Sequence, residues 1–318
     1  MNTKLVYTLV GNAGDVYLGQ AIISAYTARK SNPAARIVIV VDETTGNAIR
    51  SIRTVTDYFD DVVEVKVPDT LNKVQASRYL KTTLRQQIKG DYLYIDTDTV
   101  IVGDLSQCDM LTSDVAAVLD RHMAVELHPT LPGVKSDLKT VGLAVEDLRS
   151  KYFNGGVMYV KDSELAHKFY GCWHHHWDEA RKSGHNIDQP PLAKANKECG
   201  YIIQELSGEW NCQMVDNFIN IMDNAKVLHY FASHKRSPYK LYDEKLLKKV
   251  AESGIIDDEL KAELEHPKSL FREHHLLVHD EDVAFNHSFV HDMFAYHRWV
   301  FNLFEGISRF LVTRSFKK

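Results

Sequence analysis

The sequence has few cysteines, and they form no recognisable metal-binding or redox motif. Four are present, and no two of them have Cys-x-x-Cys spacing: Cys108, Cys172, Cys199 and Cys212. The spacing therefore gives no indication of a structural zinc site or a dithiol redox centre. The expectation that follows is reduced thiols in a cytosolic protein.

Long hydrophobic runs and an excess of positive charge are also missing. No stretch approaches the roughly 20 apolar residues that cross a bilayer, and Met-Asn-Thr-Lys leads directly into a predicted strand. We therefore expect neither a signal peptide nor a transmembrane helix, and we expect a cytoplasmic protein. The net charge of −5 argues against nucleic acid as the main partner.

The first turn, Gly11-Asn12-Ala13-Gly14, lacks the Gly-x-Gly-x-x-Gly pattern, which argues against a dinucleotide enzyme. What the chain does have is a regular alternation of apolar runs and helical spacing. Strands are predicted at residues 4–10, 36–41, 62–67 and 91–96, and one of the intervening helices at 75–88. This alternation predicts an α/β fold with a parallel sheet covered on both faces. Ligands of such sheets bind at the carboxyl ends of strands.

Two carboxylates, Asp96 and Asp98, follow the fourth predicted strand at exactly such an end. Side chains two residues apart on a strand point the same way, so the alternation predicts that both carboxylates share one face. Like charges this close are best explained by a cation between them or by a reaction that needs both. A solvated loop after the strand is the alternative.

The pattern continues in an ordered set of short motifs, and the set resembles glycosyltransferase family 8. That family contains retaining enzymes of the GT-A fold, including glycogenin and bacterial lipopolysaccharide galactosyl- and glucosyltransferases. The resemblance covers roughly residues 1–235. It is carried by Ser77-Arg78-Tyr79-Leu80, Leu93-Tyr94-Ile95-Asp96-Thr97-Asp98-Thr99, Phe153-Asn154-Gly155-Gly156-Val157, Asp188-Gln189 and Leu228-His229-Tyr230.

The resemblance implies a single Rossmann-like, mostly parallel sheet with helices on both faces. It places a GT-A domain at 1–235, with a nucleotide-sugar half at 1–105 and an acceptor half at 106–235, followed by a helical extension at 236–318. The implied activity is transfer of a hexose from a UDP-sugar to a glycan, lipid-linked or other hydroxyl acceptor. Polysaccharide or lipopolysaccharide synthesis in a bacterium is the expected setting.

The implied metal ligands are Asp96, Asp98 and His229, which would hold Mn²⁺ or Mg²⁺. Lys235, six residues after His229, has the spacing of the family's lysine that contacts the diphosphate. Between them, Ala232 stands where the family usually has glycine. A hydrogen-bonded core histidine is the alternative for His229.

The remaining site residues are also implied by the resemblance. Arg78 would bind the donor phosphate or orient the sugar; Thr8, Val10, Tyr17 and Thr97 would bind the nucleotide; and Asn154, Asp120, Asp188 and Gln189 would position the sugar and stabilise its reactive carbon. Each position has a simpler alternative. Asn-Gly is typical of a turn, aspartate before a helix is typical of an N-cap, and an arginine on a helix is usually solvated.

Two other functions stay open at this point. Strand-Asp-x-Asp-x-Thr also matches the haloacid dehalogenase pattern, in which the first aspartate attacks phosphorus, with residues 280–282 as a loose match for its second acidic pair. About 90 residues of α/β sequence precede the motif here, although that pattern normally ends the first strand. The third reading is a sugar-nucleotide-binding module without catalysis.

Two further segments attract attention. The run His174-His175-His176 lies in a predicted helix, where adjacent side chains point about 100° apart, so we expect a half-exposed face rather than a chelating site. The basic aromatic segment after residue 285 has helical spacing. It fits contact with an anionic membrane surface, packing on the catalytic domain or a homodimer contact: Val290, Met293, Phe294, Trp299, Phe301, Phe304, Phe310 and Leu311 with Arg298, Arg309, Arg314, Lys317 and Lys318.

Overall fold

The computed structural model describes residues 1–214, 219–231, 241, 243–268, 277–278, 281–282, 293 and 297–315. Twelve strands lie in this part of the chain. They are β1 Lys4–Leu9, β2 Ile37–Val41, β3 Asp61–Glu64, β4 Tyr92–Ile95, β5 Thr99–Ile101, β6 Val115–Leu119, β7 Phe153–Val160, β8 Ile203–Glu205, β9 Cys212–Gln213, β10 Val227–His229, β11 Leu277–Val278 and β12 Glu281–Asp282.

Helices alternate with these strands over most of the described chain. They are α1 Val16–Ser31, α2 Glu43–Ser51, α3 Lys73–Thr82, α4 Leu84–Gln87, α5 Leu131–Lys139, α6 Glu164–Lys182, α7 Gln189–Glu198, α8 Ile219–Met222, α9 Glu244–Ser253, α10 Asp258–Glu263 and α11 Arg298–Ser315.

The main sheet has seven strands in the order β3-β2-β1-β4-β7-β6-β8. The strands from β3 to β4 are mutually parallel, β7 runs antiparallel to both its neighbours, and β8 is parallel to β6. The predicted α/β fold with a mostly parallel sheet is therefore confirmed. The structure also has a second sheet of three strands, β5-β10-β9, where we predicted a single sheet.

Alternate residues of the central strands pack on opposite faces of the main sheet. Along β1, Leu5 and Tyr7 join one buried cluster with α1, and Val6 joins a second cluster with α3 and α6. This period of two is what a strand buried on both sides requires. Helices therefore cover both faces, as predicted.

The predicted helix at 75–88 is broken into α3 and α4. The hydroxyls of Thr82 and Thr83 donate to the carbonyl oxygens of Arg78 and Tyr79, 2.9 and 2.7 Å away. Threonine side chains that bond to the backbone in this way compete with regular helix geometry. The charged segment at 245–264 is likewise two helices, separated at Gly254, whose φ of 63° ends α9 in a left-handed cap.

The helix α9 packs against the first helix of the chain. Gly19 of α1 lies so close to the Leu247 carbonyl that a Cβ there would overlap it. Thr54 donates to the Ser253 carbonyl at 2.8 Å. Leu247, with its neighbours on α9, belongs to the same buried cluster as α1. The segment 243–268 therefore completes one face of the hydrophobic core.

Among the residues that the structure describes, every helix falls short of the length and apolar character that crossing a bilayer requires. The four cysteines are all free thiols.

Candidate active site

A turn between the two sheets brings Asp96 and Asp98 to His229. β4 ends at Ile95, and β10, which ends at His229, pairs antiparallel with β5 so that His229 stands opposite Thr99. Asp98 Oδ1 lies 3.3 Å from His229 Nε2, and one ligand atom from each of Asp96, Asp98 and His229 lies within 4.8 Å of the others. The carboxylates converge because of this turn, so our argument from strand alternation was wrong although the residues do meet.

His229 is held with one ring nitrogen toward Asp98. It is only 2% exposed, and its Nδ1 lies 3.0 Å from Asn211 Oδ1. An amide oxygen can only accept, so Nδ1 carries a proton, and in the neutral ring Nε2 has its lone pair on the Asp98 side. A hydrogen bond of this kind from the second nitrogen is typical of histidines that bind metals.

Asn211 also begins a series of side-chain hydrogen bonds that runs through Asn154 to Asp120. Asn211 Nδ2 donates to Asn154 Oδ1 at 3.0 Å, and Asn154 Nδ2 donates to Asp120 Oδ1 at 2.8 Å. His128 Nε2 contacts the other oxygen of Asp120 at 2.9 Å. Burial alone would raise the pKa of Asp120, but the hydrogen bonds from His128 and Asn154 outweigh it and lower the pKa below its usual value. Asp120 is therefore a buried carboxylate that stays ionised.

Asn154 lies inside β7 rather than in the turn that Asn-Gly often forms. Its Oδ1 accepts from the Gly156 amide at 2.8 Å. A Cβ on Gly156 would overlap the His229 ring and come within 2.9 Å of Asn154 Oδ1. Glycine is required at 156 because β7 approaches the histidine this closely.

Beside this cluster, two cations from α3 hold a second carboxylate. Arg78 Nε lies 3.0 Å from Asp188 Oδ1, and Lys81 Nζ lies 3.5 Å from Asp188 Oδ2 and 3.2 Å from Asp96 Oδ1. Asp188 precedes α7, yet its side chain does not cap the helix. Burial raises the pKa of Asp188, and the charges of Arg78 and Lys81 outweigh it, so the pKa is lowered overall. Lys81 thus connects the two acidic centres.

The nucleotide residues that we predicted lie at the end of β1 and the start of α1. Thr8 Oγ1 is 3.3 Å from Tyr94 Oη, and Tyr94 donates a short hydrogen bond to Asp96, so Thr8 is linked to the acidic turn. Val10 is half-buried and packs on the core. Tyr17 is 47% exposed at the first turn of α1.

Two further predicted residues, Gln189 and Thr97, lie outside the hydrogen-bonded groups described so far. Gln189 Nε2 donates to the Phe153 carbonyl at 3.0 Å, which ties the start of α7 to β7. Thr97 is half-exposed in the Asp96–Asp98 turn. Lys235 and Ala232 lie outside the described residues, as does Asp280 of the alternative acidic pair.

Our reading of the sequence missed several residues of this network. Asn211 accepts from His229, His128 contacts Asp120, and Tyr94 donates to Asp96. No short motif marks an asparagine or histidine in a loop as such an orienting group. Lys81 carried a weak signal, since residues 78 and 81 share one helix face.

Two carboxylates and an imidazole nitrogen with an available lone pair form a donor set that suits Mn²⁺ or Mg²⁺. With the fold, this site defines a GT-A glycosyltransferase. The model of glycosyl transferase family 8 matches residues 9–236, and the chain belongs to that family.

Solved structures of glycosyltransferases share the fold. The galactosyltransferase LgtC, in complex with donor and acceptor sugar analogues, is 15% identical with a TM-score of 0.54, over 82% of this chain and 99% of that one. Mouse xyloside xylosyltransferase 1 is 11% identical with a TM-score of 0.50, over 73% and 99%. The glycosyltransferase GlyE of Streptococcus pneumoniae is 14% identical with a TM-score of 0.50, over 84% and 64%. No curated protein sequence matches the chain.

Proposed function

We propose that this glycosyltransferase transfers a hexose from a UDP-sugar to a hydroxyl acceptor, with retention of configuration and with a divalent cation. The observation that carries this proposal is the convergence of Asp96, Asp98 and His229 beside the Arg78–Asp188 ion pair. Opposite charges lie next to each other at the carboxyl edge of the sheet, where an anionic diphosphate joined to a sugar would be accommodated.

The first part of the proposal concerns the diphosphate. Asp96, Asp98 and His229 would hold Mn²⁺ or Mg²⁺, which neutralises the charge of a departing diphosphate when it is bound. Arg78 adds a planar cation that matches phosphate geometry. Lys235 is assigned to the same group from its sequence spacing alone.

The second part concerns the nucleoside. Thr8, Val10 and Tyr17 are proposed to bind uracil and ribose, with Thr97 beside the phosphates. The exposed ring of Tyr17 leaves an aromatic face on which a base can stack. The hydrogen bonds from Thr8 through Tyr94 to Asp96 support a UDP-sugar that extends from the end of β1 to the acidic turn.

The third part concerns the sugar. The acceptor oxygen forms a bond to the anomeric carbon on the face from which the diphosphate departs, and its proton passes to a diphosphate oxygen. Positive charge develops at the anomeric carbon, and the ionised Asp188 is the proposed group that stabilises it. Gln189, Asn154 and Asp120 are proposed to position the sugar hydroxyls.

The acceptor is proposed to be a glycan or glycolipid, as in bacterial polysaccharide or lipopolysaccharide synthesis. Contact with an anionic membrane through α11 would bring the enzyme to a lipid-linked acceptor. The exposed apolar side chains of this helix support that contact, because positions 299, 303 and 307 are one helical turn or so apart and 304 is beside 303: Trp299, Leu303, Phe304 and Ile307.

UDP release tests the proposal directly. The protein is incubated with Mn²⁺ and a panel of UDP-sugars, each with and without glycan acceptors. We expect release with at least one donor, and we expect Asp98→Asn to lower the rate at least about 100-fold because a ligand of the cation is lost. Asp104→Asn, at an exposed aspartate that accepts from Ser106, is the matched control.

Other outcomes would favour the alternatives. Phosphate release from small phosphoesters without any nucleotide would indicate a phosphohydrolase in which Asp96 is the nucleophile. UDP-sugar binding without turnover over a broad acceptor panel would indicate a binding module. Equal rates for the wild type and Asp98→Asn would contradict the proposed cation site.

A further inference from the structure

A second group of side chains that could bind a metal lies on α6, near the C-terminal end of α7. His175 Nε2 lies 3.5 Å from Glu179 Oε2, and His176 Nδ1 lies 3.9 Å from the same oxygen. One ligand atom from each of the three residues lies within 4.8 Å of the others. We propose that His175, His176 and Glu179 form a binding site for Zn²⁺ or a similar borderline-soft divalent cation.

Our sequence argument compared only the adjacent histidines of the run with one another. Adjacent helix residues do not face each other, but Glu179 is four residues after His175 and three after His176. Both intervals bring side chains together on a helix surface, so the carboxylate lies between the two rings. A tetrahedral zinc ion with bonds of about 2.1 Å holds its ligand atoms about 3.4 Å apart, close to the observed separations.

The strongest support comes from a buried ring nitrogen. His176 is 6% exposed, and its Nδ1 has no hydrogen-bond partner among the residues that the structure describes. A buried polar atom without a partner is unfavourable, because it loses its hydrogen bonds to water and gains none in the protein. A cation bound between Nδ1 and Glu179 would satisfy it.

The other nitrogen of His176 is already held as metal sites require. His176 Nε2 lies 2.7 Å from Glu198 Oε2, at the last residue of α7. A carboxylate can only accept, so Nε2 carries the proton and Nδ1 is left with the lone pair that binds a metal. This carboxylate–histidine arrangement orients the ring and connects α6 to α7, the helix that begins at Gln189.

Zinc titration tests the proposal. Full-length Asp96→Asn/Asp98→Asn protein, in which two carboxylates of the other cluster are neutralised, is titrated with ZnCl₂ by calorimetry. We expect one equivalent to bind and to raise the melting temperature, because a ligand of the folded state stabilises it. Co²⁺ in place of zinc should give visible d–d absorption.

Variants at exposed positions distinguish a site from a chance cluster. His175→Ala and Glu179→Ala, both on the helix surface, should each weaken zinc binding at least tenfold in this background. Glu198→Gln should weaken it about 10–100-fold by removing the support for His176. His167→Ala, an exposed histidine on the same helix, is the matched control and should retain full binding.

Either of two results would overturn the proposal. One is that the background protein binds no zinc, or that it binds zinc with the same affinity as its His175, Glu179 and Glu198 variants. The other is loss of zinc binding in Cys172→Ser/Cys199→Ser with retention in His175→Ala, which would assign the zinc to thiols.

Discussion

At the scale of single residues, the candidate active site depends on side chains that orient other side chains. Asn211 accepts a hydrogen bond from His229 and donates one to Asn154, which in turn donates to Asp120. Asn211 and Asn154 each accept through the amide oxygen and donate through the amide nitrogen. The loss of one member is therefore expected to affect the group that it orients.

The first prediction concerns Asn211. Asn211→Ala removes the acceptor that fixes the His229 tautomer, so Mn²⁺ affinity should fall about 10–100-fold, as for other outer groups of metal sites. Calorimetric titration with Mn²⁺ measures the affinity. Asn196→Ala is the matched control: Asn196 is also buried, but its amide oxygen accepts from Ile203 N away from the site. Equal losses in both variants would mean that Asn211 acts only through stability.

The second prediction concerns pH. Asp120 has a lowered pKa in the folded protein, so it contributes stability that is complete above the unfolded value of about 3.9 and is lost as pH falls toward the folded value. Asp120→Asn lacks this contribution. Denaturant midpoints measured from pH 7 to pH 3 should therefore fall more steeply below pH 4 in the wild type. Parallel pH profiles of the two proteins would contradict the assignment.

At the scale of elements, the site is a junction between the two sheets. β7 belongs to the main sheet and β10 to the small one, and they meet where Gly156 approaches His229. The turn from β4 to β5 crosses the same junction. Small displacements of these strands relative to each other would separate the ligands of the proposed cation.

The third prediction compares two neighbouring glycines of β7. Gly156→Ala places a Cβ within 2.8 Å of His229 Nδ1, so the ring or the strand must shift, and Mn²⁺-dependent UDP release should fall at least tenfold. Gly155→Ala is the control, because its Cβ would meet nothing nearer than Lys81 Nζ at 3.6 Å. Similar activity of the two variants would show that the close approach is not required.

How much the sequence predicts also differs from element to element. β1, β2 and β4 follow from their apolar runs, because a buried parallel strand leaves a strong local signal, while the half-exposed edge strand β3 lies at Asp61–Glu64 instead of the predicted 62–67. The placement of Asn154 in β7 was missed because pairing with β4 and β6 outweighs the local turn preference of Asn-Gly. A short strand at 226–230 is predicted from the sequence, but its pairing with β5 and β9 could not be, since these strands have two or three residues and come from distant parts of the chain.

The candidate site likewise contains residues that the sequence predicts and residues that it does not. Asp96, Asp98 and His229 stand out because they follow apolar runs in an ordered set of motifs. Asn211 and His128 belong to the site through tertiary contacts alone, so one sequence cannot identify them. The roles of the predicted residues and the boundary at residue 235 stay predictions.

At the scale of the whole molecule, α11 differs from the other helices in what it exposes. Trp299 is 71% exposed and Leu303 is 55% exposed, although large apolar side chains are usually buried. The chain carries a net charge of −5, while residues 298–318 include five arginines and lysines and one glutamate. These basic residues and the exposed apolar side chains are the basis of the proposed contact with an anionic surface.

The fourth prediction tests this region on the full-length protein. It should sediment with vesicles containing anionic lipid, and Trp299→Ser/Leu303→Ser should bind at least tenfold more weakly, because each side chain loses about 1.5–3 kcal/mol of apolar burial. Ile255→Ser, at an exposed isoleucine between α9 and α10, is the control. If vesicles bind no wild-type protein, or if light scattering finds a dimer that the double variant loses, the surface is not a membrane contact.

The packing of α9 on α1 has a consequence for the timing of synthesis. The hydrogen bond from Thr54 to Ser253 joins residues 199 positions apart. At about 5–20 residues per second, a ribosome takes roughly 10–40 s between making these two residues. Throughout that interval Gly19 and the apolar side chains around it have no α9 to cover them, so the nascent chain exposes a surface that chaperones bind.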